Sequence, residues 1–123
     1  MNIEGKIAVI TGGASGLGRA TAEMVIAKGG KVAVLDLNEE LAQATAAELG
    51  EAKAYQVNVT DDASVTKVIE AVKSDFGAIH INVNCAGIGA ASRTVGKDGA
   101  LDINKFNFIV QVNLIGTFSV LSK

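Results

Sequence analysis

The sequence predicts a doubly wound α/β fold on a parallel sheet, and three observations carry the prediction. Short apolar runs of strand length alternate with longer runs whose apolar residues recur every three or four positions. A glycine-rich turn, Thr11-Gly12-Gly13-Ala14-Ser15-Gly16-Leu17-Gly18, separates the first strand-like run from the first helix-like run. The second strand-like run, Lys31 to Asp36, is apolar on both faces, as a strand covered by helices on both sides is.

Taken in order, Ile7 to Ile10 reads as the first strand and Leu17 to Lys28 as the first helix, with Leu17, Ala20, Thr21, Met24 and Val25 on one face and Gly29-Gly30 as its stop. Lys31 to Asp36 is the second strand. Asn38 is placed to cap a helix over Glu39 to Leu49, ended by Gly50. Lys53 to Val59 is the third strand. Thr60 or Asp61 caps a third helix carrying Val65, Val68, Ile69, Val72 and Phe76, and Gly77 ends it. Ile79 to Asn84 is the fourth strand, alternating Ile79, Ile81 and Val83 with His80, Asn82 and Asn84; the polar set needs either a lightly covered face or buried partners. Gly87 to Ala100 reads as a long glycine-rich loop, a kind that is often functional. Asp102 caps a last helix in which Phe106, Ile109, Val110 and Phe118 are expected to pack partly on the sheet.

Serial β-then-α units imply right-handed crossovers and the strand order 3-2-1-4, a Rossmann-like arrangement. Such a sheet leaves the fourth strand as an open edge with a β-branched apolar row, and such edges invite aggregation. The chain also stops at Lys123 inside an apolar helical pattern. Residues 1–123 are therefore expected to be the N-terminal part of a single larger domain, with further strands missing and the last helix cut.

Composition narrows the classes. Almost half the residues are hydrophobic, enough for a buried core, and a net charge of −2 gives no support for a nucleic-acid or anionic-membrane partner. The apolar runs are too short for a transmembrane span, and Met1 to Lys6 lacks the layout of a signal peptide. The single cysteine, Cys85, excludes an internal disulfide, and a cytoplasmic location is the default. No set of residues has metal-ligand spacing.

The glycine turn has the chemistry of a phosphate site. A helix N-terminus offers unpaired N–H groups and the positive end of the helix dipole, and glycines let a pyrophosphate approach the backbone. The spacing Gly12-x-x-x-Gly16-x-Gly18, with a strand before and a helix after, gives the motif its context. Asp36 adds to it, standing at the end of the second strand about twenty residues on, where a carboxylate accepts from ribose hydroxyls. The alternative is a plain turn followed by an Asp that opens a loop. Asp36 also favours NAD over NADP: two unit charges about 4 Å apart repel by roughly 4 kcal/mol at an effective dielectric near 20. Leu37 follows it, not a base, and Ala14 and Ser15 supply no cation.

Thr11-Gly12-x-x-x-Gly16-x-Gly18, Asp36, Asn84-Cys85-Ala86-Gly87 and Asn113 together resemble the short-chain dehydrogenase/reductase family, in order and separation along the whole chain. The resemblance implies an NAD cofactor held by Thr11, Gly12, Ser15, Gly16, Leu17, Gly18, Asp36, Leu37, Asn58, Val59, Cys85, Ala86 and Gly87. Within that set Asp36 would hold the adenine ribose, Asn58 and Val59 would line the adenine, and the segment Asn84 to Gly87 would pass beneath the cofactor. Asn113 would be the catalytic asparagine, kinking its helix so that its backbone carbonyl holds a water in the proton relay.

The departures matter as well. Asn58 stands where the family has aspartate, with an amide oxygen still able to accept from the adenine amino group. Cys85 replaces an asparagine, and Asn82 replaces an apolar residue and needs a buried partner. The segment Asn84 to Ile88 followed by Ala91-Ser92-Arg93-Thr94 is similar to one subgroup, the type II 3-hydroxyacyl-CoA dehydrogenases, which implies an acyl-CoA substrate. Arg93 and Lys97 are then either solvated charges or contacts to a CoA phosphate. The alternatives are a 3-oxoacyl-carrier-protein reductase, a hydroxysteroid dehydrogenase, or a nucleotide-binding module without catalysis. The family's chemistry also needs a Ser and a Tyr-x-x-x-Lys pair; the only tyrosine here, Tyr55, has Val59 four residues on. The resemblance thus implies that these 123 residues alone have no dehydrogenase activity, and that the full protein is a homotetramer built partly through the last helix.

Overall fold

The β-α alternation folds into a single four-stranded parallel sheet in the computed structural model, which describes residues Met1–Lys123. Strands β1 (Ile7–Thr11), β2 (Lys31–Asp36), β3 (Ala52–Gln56) and β4 (Ile81–Asn84) lie in the order β3-β2-β1-β4. Helices α1 (Gly16–Ala27), α2 (Glu39–Leu49) and α3 (Asp62–Phe76) make the three crossovers. The register sets Thr11 opposite both Leu35 and Asn84, so the carboxyl ends of β1, β2 and β4 finish level. That common edge is where a doubly wound sheet holds its ligands.

Strand alternation divides the core in two. Val9, Ala33, Leu35 and Tyr55 point to the α3 side and meet Val65, Val68, Ile69 and Val72. Ala8, Ile10, Val32 and Val34 point the other way and meet Ala22 and Val25 of α1 and Ala42 and Ala46 of α2. Burying each large side chain contributes about 1.5–3 kcal/mol, so both layers matter to stability. Asn38 Oδ1 accepts from Leu41 N, and Asp61 Oδ1 accepts from Ala63 N and Ser64 N, so the caps fall at Asn38 and Asp61. No helix is long and apolar enough to cross a membrane.

Several expected features come out differently. The buried stripe of α1 is Gly18, Ala22 and Val25, whereas Leu17 is 83 % and Met24 60 % exposed. Close packing of Gly18 on the glycine turn rotates the helix and sends Leu17 outward. β3 ends at Gln56, not Val59, because the chain turns at Asn58, whose N–H donates to Ser64 Oγ. β4 starts at Ile81: before it, His80 Nδ1 accepts the Ile7 N–H at 3.1 Å, a side chain standing in for a strand carbonyl.

The segment 87–100 is not wholly a loop. It holds a small antiparallel ribbon, β5 (Val95–Gly96) with β6 (Gly99–Ala100), and Leu101 N donates to Thr94 O across its base. Lys97-Asp98 is the connection, and Gly99, which opens β6, takes φ +112°.

The last helix is three pieces: α4 (Ile103–Val110), a π-helical segment (Gln111–Gly116) and α5 (Thr117–Leu121). Its contact with the core is a strip of small residues, Gly116, Ser119 and Val120, with Ile109 and Val110 half-buried. Phe106 and Phe118 do not pack on the sheet as expected; they are 53 % and 67 % exposed. Gly116 explains the closeness, since a Cβ there would stand 2.8 Å from Val59 Cγ2. Ser119 Oγ donates to Asp62 Oδ1 and ties α5 to α3. Asn82 Oδ1 is buried without a hydrogen-bond partner, beside a cavity of about 220 Å³ between β4 and the last helix, so the partner expected for it is not supplied.

A polar clasp closes the outer edge. Asp75 on α3 accepts from Lys53 Nζ at 2.6 Å and from Tyr55 OH at 2.5 Å. Burial, then the bond to Asp75, push the Tyr55 phenol above its usual range. The Lys53 bond, then the Tyr55 bond, hold the Asp75 carboxyl below its own. The unfolded chain therefore binds a proton at Asp75 before the folded chain does. This stabilisation is present above the unfolded value near 4 and is lost as pH falls below it through the folded value. Asp75→Asn is expected to flatten the acid limb of urea-unfolding midpoints between neutrality and about pH 3. An unchanged limb would remove Asp75 from the account.

Candidate functional site

The site is assembled where β1 gives way to α1. Thr11 is buried at the end of β1 and accepts twice from the segment after β4: its carbonyl from Cys85 N at 3.1 Å and its Oγ1 from Ala86 N at 3.2 Å. Gly13 N donates to Leu35 O, which fastens the turn to β2. Gly12 lies so close to the segment after β4 that a Cβ would stand 2.9 Å from Ala86 N. Ser15 stands at the N-cap of α1 in extended conformation and makes no side-chain cap. At Gly16 φ is +52° and nothing lies within 4 Å of where a Cβ would stand, so the backbone faces open space. The result is a helix N-terminus with N–H groups free to meet an anion.

Asp36 is held by the same turn. Its Oδ2 accepts from Ala14 N at 3.2 Å and its Oδ1 from Asn38 N at 3.1 Å. Two backbone donors thus fix the carboxylate at the mouth of the site, with acceptor capacity left over. Arg19, the nearest cation on α1, is taken by Glu23 at 3.1 Å and Glu48 at 2.5 Å. The bond to Glu23, then that to Glu48, raises its pKa.

These elements border one cleft of about 750 Å³. Of the residues singled out from the sequence, Gly12, Ser15, Gly16, Leu17, Gly18, Asp36, Leu37, Asn58, Val59, Cys85, Ala86 and Gly87 line it. Thr11 does not; it lies behind the turn as a strut. Asn113 does not line the cleft either. Its side chain is bonded both ways to Ile88, Oδ1 accepting from the N–H at 2.8 Å and Nδ2 donating to the carbonyl at 2.7 Å. It sits in the π-helical segment, and its backbone carbonyl accepts from Thr117 Oγ1 at 2.8 Å. A π turn breaks the regular i to i+4 ladder, so a kink is expected there.

Sequence reasoning missed part of the lining. Val57 and Thr60 flank Asn58 and Val59, Ile88 follows Gly87, and Phe108 and Val112 close the far wall from the last helix. The Phe108–Val112 spacing of four was legible, but the apolar face read from the sequence was that of Phe106, Ile109, Val110 and Phe118. Asn84, named from the sequence with the segment to Gly87, lines the cleft as well, and its Oδ1 is buried with no hydrogen-bond partner. The amide oxygen expected of Asn58 is already used: it accepts from both Thr60 N and Thr60 Oγ1. No group of three His, Cys, Asp or Glu side chains comes together that could hold a metal.

The comparisons with known proteins agree with this geometry. A family model described as short chain dehydrogenase matches residues 6–123. The chain is 39 % identical over 123 residues to 3-hydroxyacyl-CoA dehydrogenase type-2 of Bos taurus, covering 98 % of this chain and 47 % of that protein. It is 40 % identical over 119 residues to 3-oxoacyl-[acyl-carrier-protein] reductase FabG of Escherichia coli, covering 96 % of this chain and 47 % of the reductase. The chain thus spans about half the length of the curated relatives it matches. Among solved structures, the 3-ketoacyl-(acyl-carrier-protein) reductase from Brucella melitensis complexed with NADH superposes with a TM-score of 0.89 at 34 % identity, over 98 % of this chain and 49 % of that one. With strand order, glycine turn and family model in agreement, the chain belongs to the short-chain dehydrogenase family.

Proposed function

We propose that the chain is the NAD-binding part of an oxidoreductase that transfers a hydride between a secondary alcohol, specifically a 3-hydroxyacyl-CoA, and NAD. The observation that carries this reading is the pairing of the open helix N-terminus at Gly16 with the Asp36 carboxylate held by Ala14 N and Asn38 N. The first suits a diphosphate, the second a ribose, and both face one cleft. When bound, the dinucleotide supplies the hydride acceptor. The chain's own part is to bind it and fix its orientation: the turn residues 12 to 18 hold the diphosphate, Asp36 and Leu37 the adenosine sugar, Asn58 and Val59 the base, and residues 85 to 87 the floor.

Asn113 acts by positioning. Its paired bonds to Ile88 hold the segment after β4 against the last helix. Its carbonyl, which accepts from the Thr117 hydroxyl, is the group we assign to hold a water of the proton relay. The exposed apolar residues Phe106, Leu114, Phe118 and Leu121 support a homotetramer using this helix in the full-length protein, for which we infer a cytoplasmic setting. The reductase relative supports a second reading, reduction of a 3-oxoacyl thioester on a carrier protein. The carboxylate of Asp36 and the sequestered Arg19 favour NAD over NADP in either case.

Urea unfolding with and without cofactor tests the reading. NAD at a hundredfold over its Kd is expected to stabilise the chain by about 2.7 kcal/mol, and NADP at the same concentration by clearly less. The chain with bound NAD and 3-hydroxybutyryl-CoA should form no NADH, since Tyr55 is its only tyrosine. An unfolding curve indifferent to millimolar NAD would overturn the assignment.

A further inference from the structure

Asn58 stands at the base end of the cleft, beyond Asp36, next to the apolar surface of Leu37, Val57 and Val59. Its side-chain oxygen accepts from the Thr60 N–H at 3.0 Å and from Thr60 Oγ1 at 2.7 Å. A backbone N–H can only donate, so this contact fixes which end of the amide faces Thr60. An amide oxygen has two lone pairs, and both are committed. The Asn58 backbone N–H is committed too, to Ser64 Oγ at 3.2 Å. What the rim still offers is donors: the Nδ2 protons of Asn58, and the N–H of Val59, which lies outside every strand and helix and donates to nothing in the chain.

Resting on the reading of the cleft as the NAD site, we propose that Asn58 makes its base end a donor-only rim, which does not select the 6-amino group of adenine and takes a 6-oxopurine dinucleotide as well. An amino group at position 6 of a purine is a donor, and an oxo group there is an acceptor. Against Nδ2 the amino group sets donor against donor, whereas the oxo group accepts. At position 1 the order reverses: the adenine ring nitrogen accepts from a rim donor such as the Val59 N–H, and the 6-oxopurine carries a proton there. Each base thus matches one rim donor and neither is selected. Adenine still binds, because its ring nitrogens accept from the rim and its faces pack on the apolar wall. Asn58→Asp reverses the sign: one carboxylate oxygen repeats the turn to Thr60 and the other becomes a charged acceptor. Asn58 is exposed, and aspartate makes the same turn, so the fold is retained.

The test is isothermal titration of the chain with NAD and with nicotinamide hypoxanthine dinucleotide. The parent chain is expected to bind the two within about threefold, and Asn58→Asp to move the ratio about tenfold toward NAD. The side-chain amide resonances of Asn58 should shift when the hypoxanthine dinucleotide is added. A parent preference for NAD of about tenfold or more, or a ratio that Asn58→Asp leaves unchanged, overturns the proposal. Failure of both dinucleotides to bind overturns the cofactor reading and the proposal with it; that outcome appears in the absolute constants, not in the ratio.

Discussion

Gly18→Ala is expected to destabilise the chain by about 2 kcal/mol although it replaces glycine by the best helix former. Two effects oppose each other. In a helix, alanine is favoured over glycine by about 1 kcal/mol. Against that, a Cβ at Gly18 would be driven into the Gly12 carbonyl oxygen and carbon and would reach 3.0 Å from Gly13 Cα. These are backbone atoms of the turn, and they cannot swing aside as a flexible side chain can. Relief requires α1 to move off the sheet, which opens the packing of Ala22 and Val25 on β1 and β2. Overpacking of this kind costs about 1–3 kcal/mol and sometimes more, so the steric effect wins.

Gly16→Ala is the informative companion. It meets no neighbour, but it forces alanine to φ +52°, a penalty of about 1–2 kcal/mol, and it fills open space where the diphosphate is proposed to lie. Urea midpoints should therefore rank the parent above both variants, with Gly18→Ala losing the packing and Gly16→Ala chiefly losing the cofactor response. A Gly18→Ala chain as stable as the parent would show that the turn and helix do not need this close approach.

The strand order and most helix limits were legible because local signals and global topology agree. Asn38, Asp61 and Asp102 each accept backbone N–H groups where the sequence places a cap. The glycine turn and Asp36 were legible for the same reason: a β-α junction leaves few ways to present N–H groups and a carboxylate to one ligand. What sequence could not give is rotation and reach. Periodicity in α1 and in the last helix marks an apolar stripe, but small residues decide which side approaches the sheet. Gly18 and Gly116 bring their faces inward and leave Leu17, Phe106 and Phe118 outside. Asn58 shows the same limit at the scale of one amide. Its identity was plain, whereas the commitment of its oxygen to Thr60 depends on the turn that ends β3.

Asp36→Ala should weaken NAD binding about 10- to 100-fold and narrow the gap between NAD and NADP by at least about tenfold. The carboxylate has two duties, and the prediction depends on both. Toward the ligand, in the proposed site, it would accept from sugar hydroxyls, and hydrogen bonds to a charged group are worth about 1.5–3 kcal/mol. Toward the chain it holds Ala14 N and Asn38 N, so alanine also releases the turn that presents the diphosphate donors. NADP keeps less of the first interaction, because its phosphate occupies one of the two hydroxyl positions and meets the carboxylate's charge. It therefore loses less on mutation, and the repulsion of roughly 4 kcal/mol at an effective dielectric near 20 is an upper limit on what it regains. Asp36→Asn separates the duties: its oxygen can still accept from one backbone N–H, while the charge that excludes the phosphate is gone. If charge sets the preference, the asparagine variant narrows the NAD/NADP ratio about as far as alanine does while losing less NAD affinity. A ratio of dissociation constants unchanged in both variants would mean that the cofactor's sugar does not meet Asp36 at all.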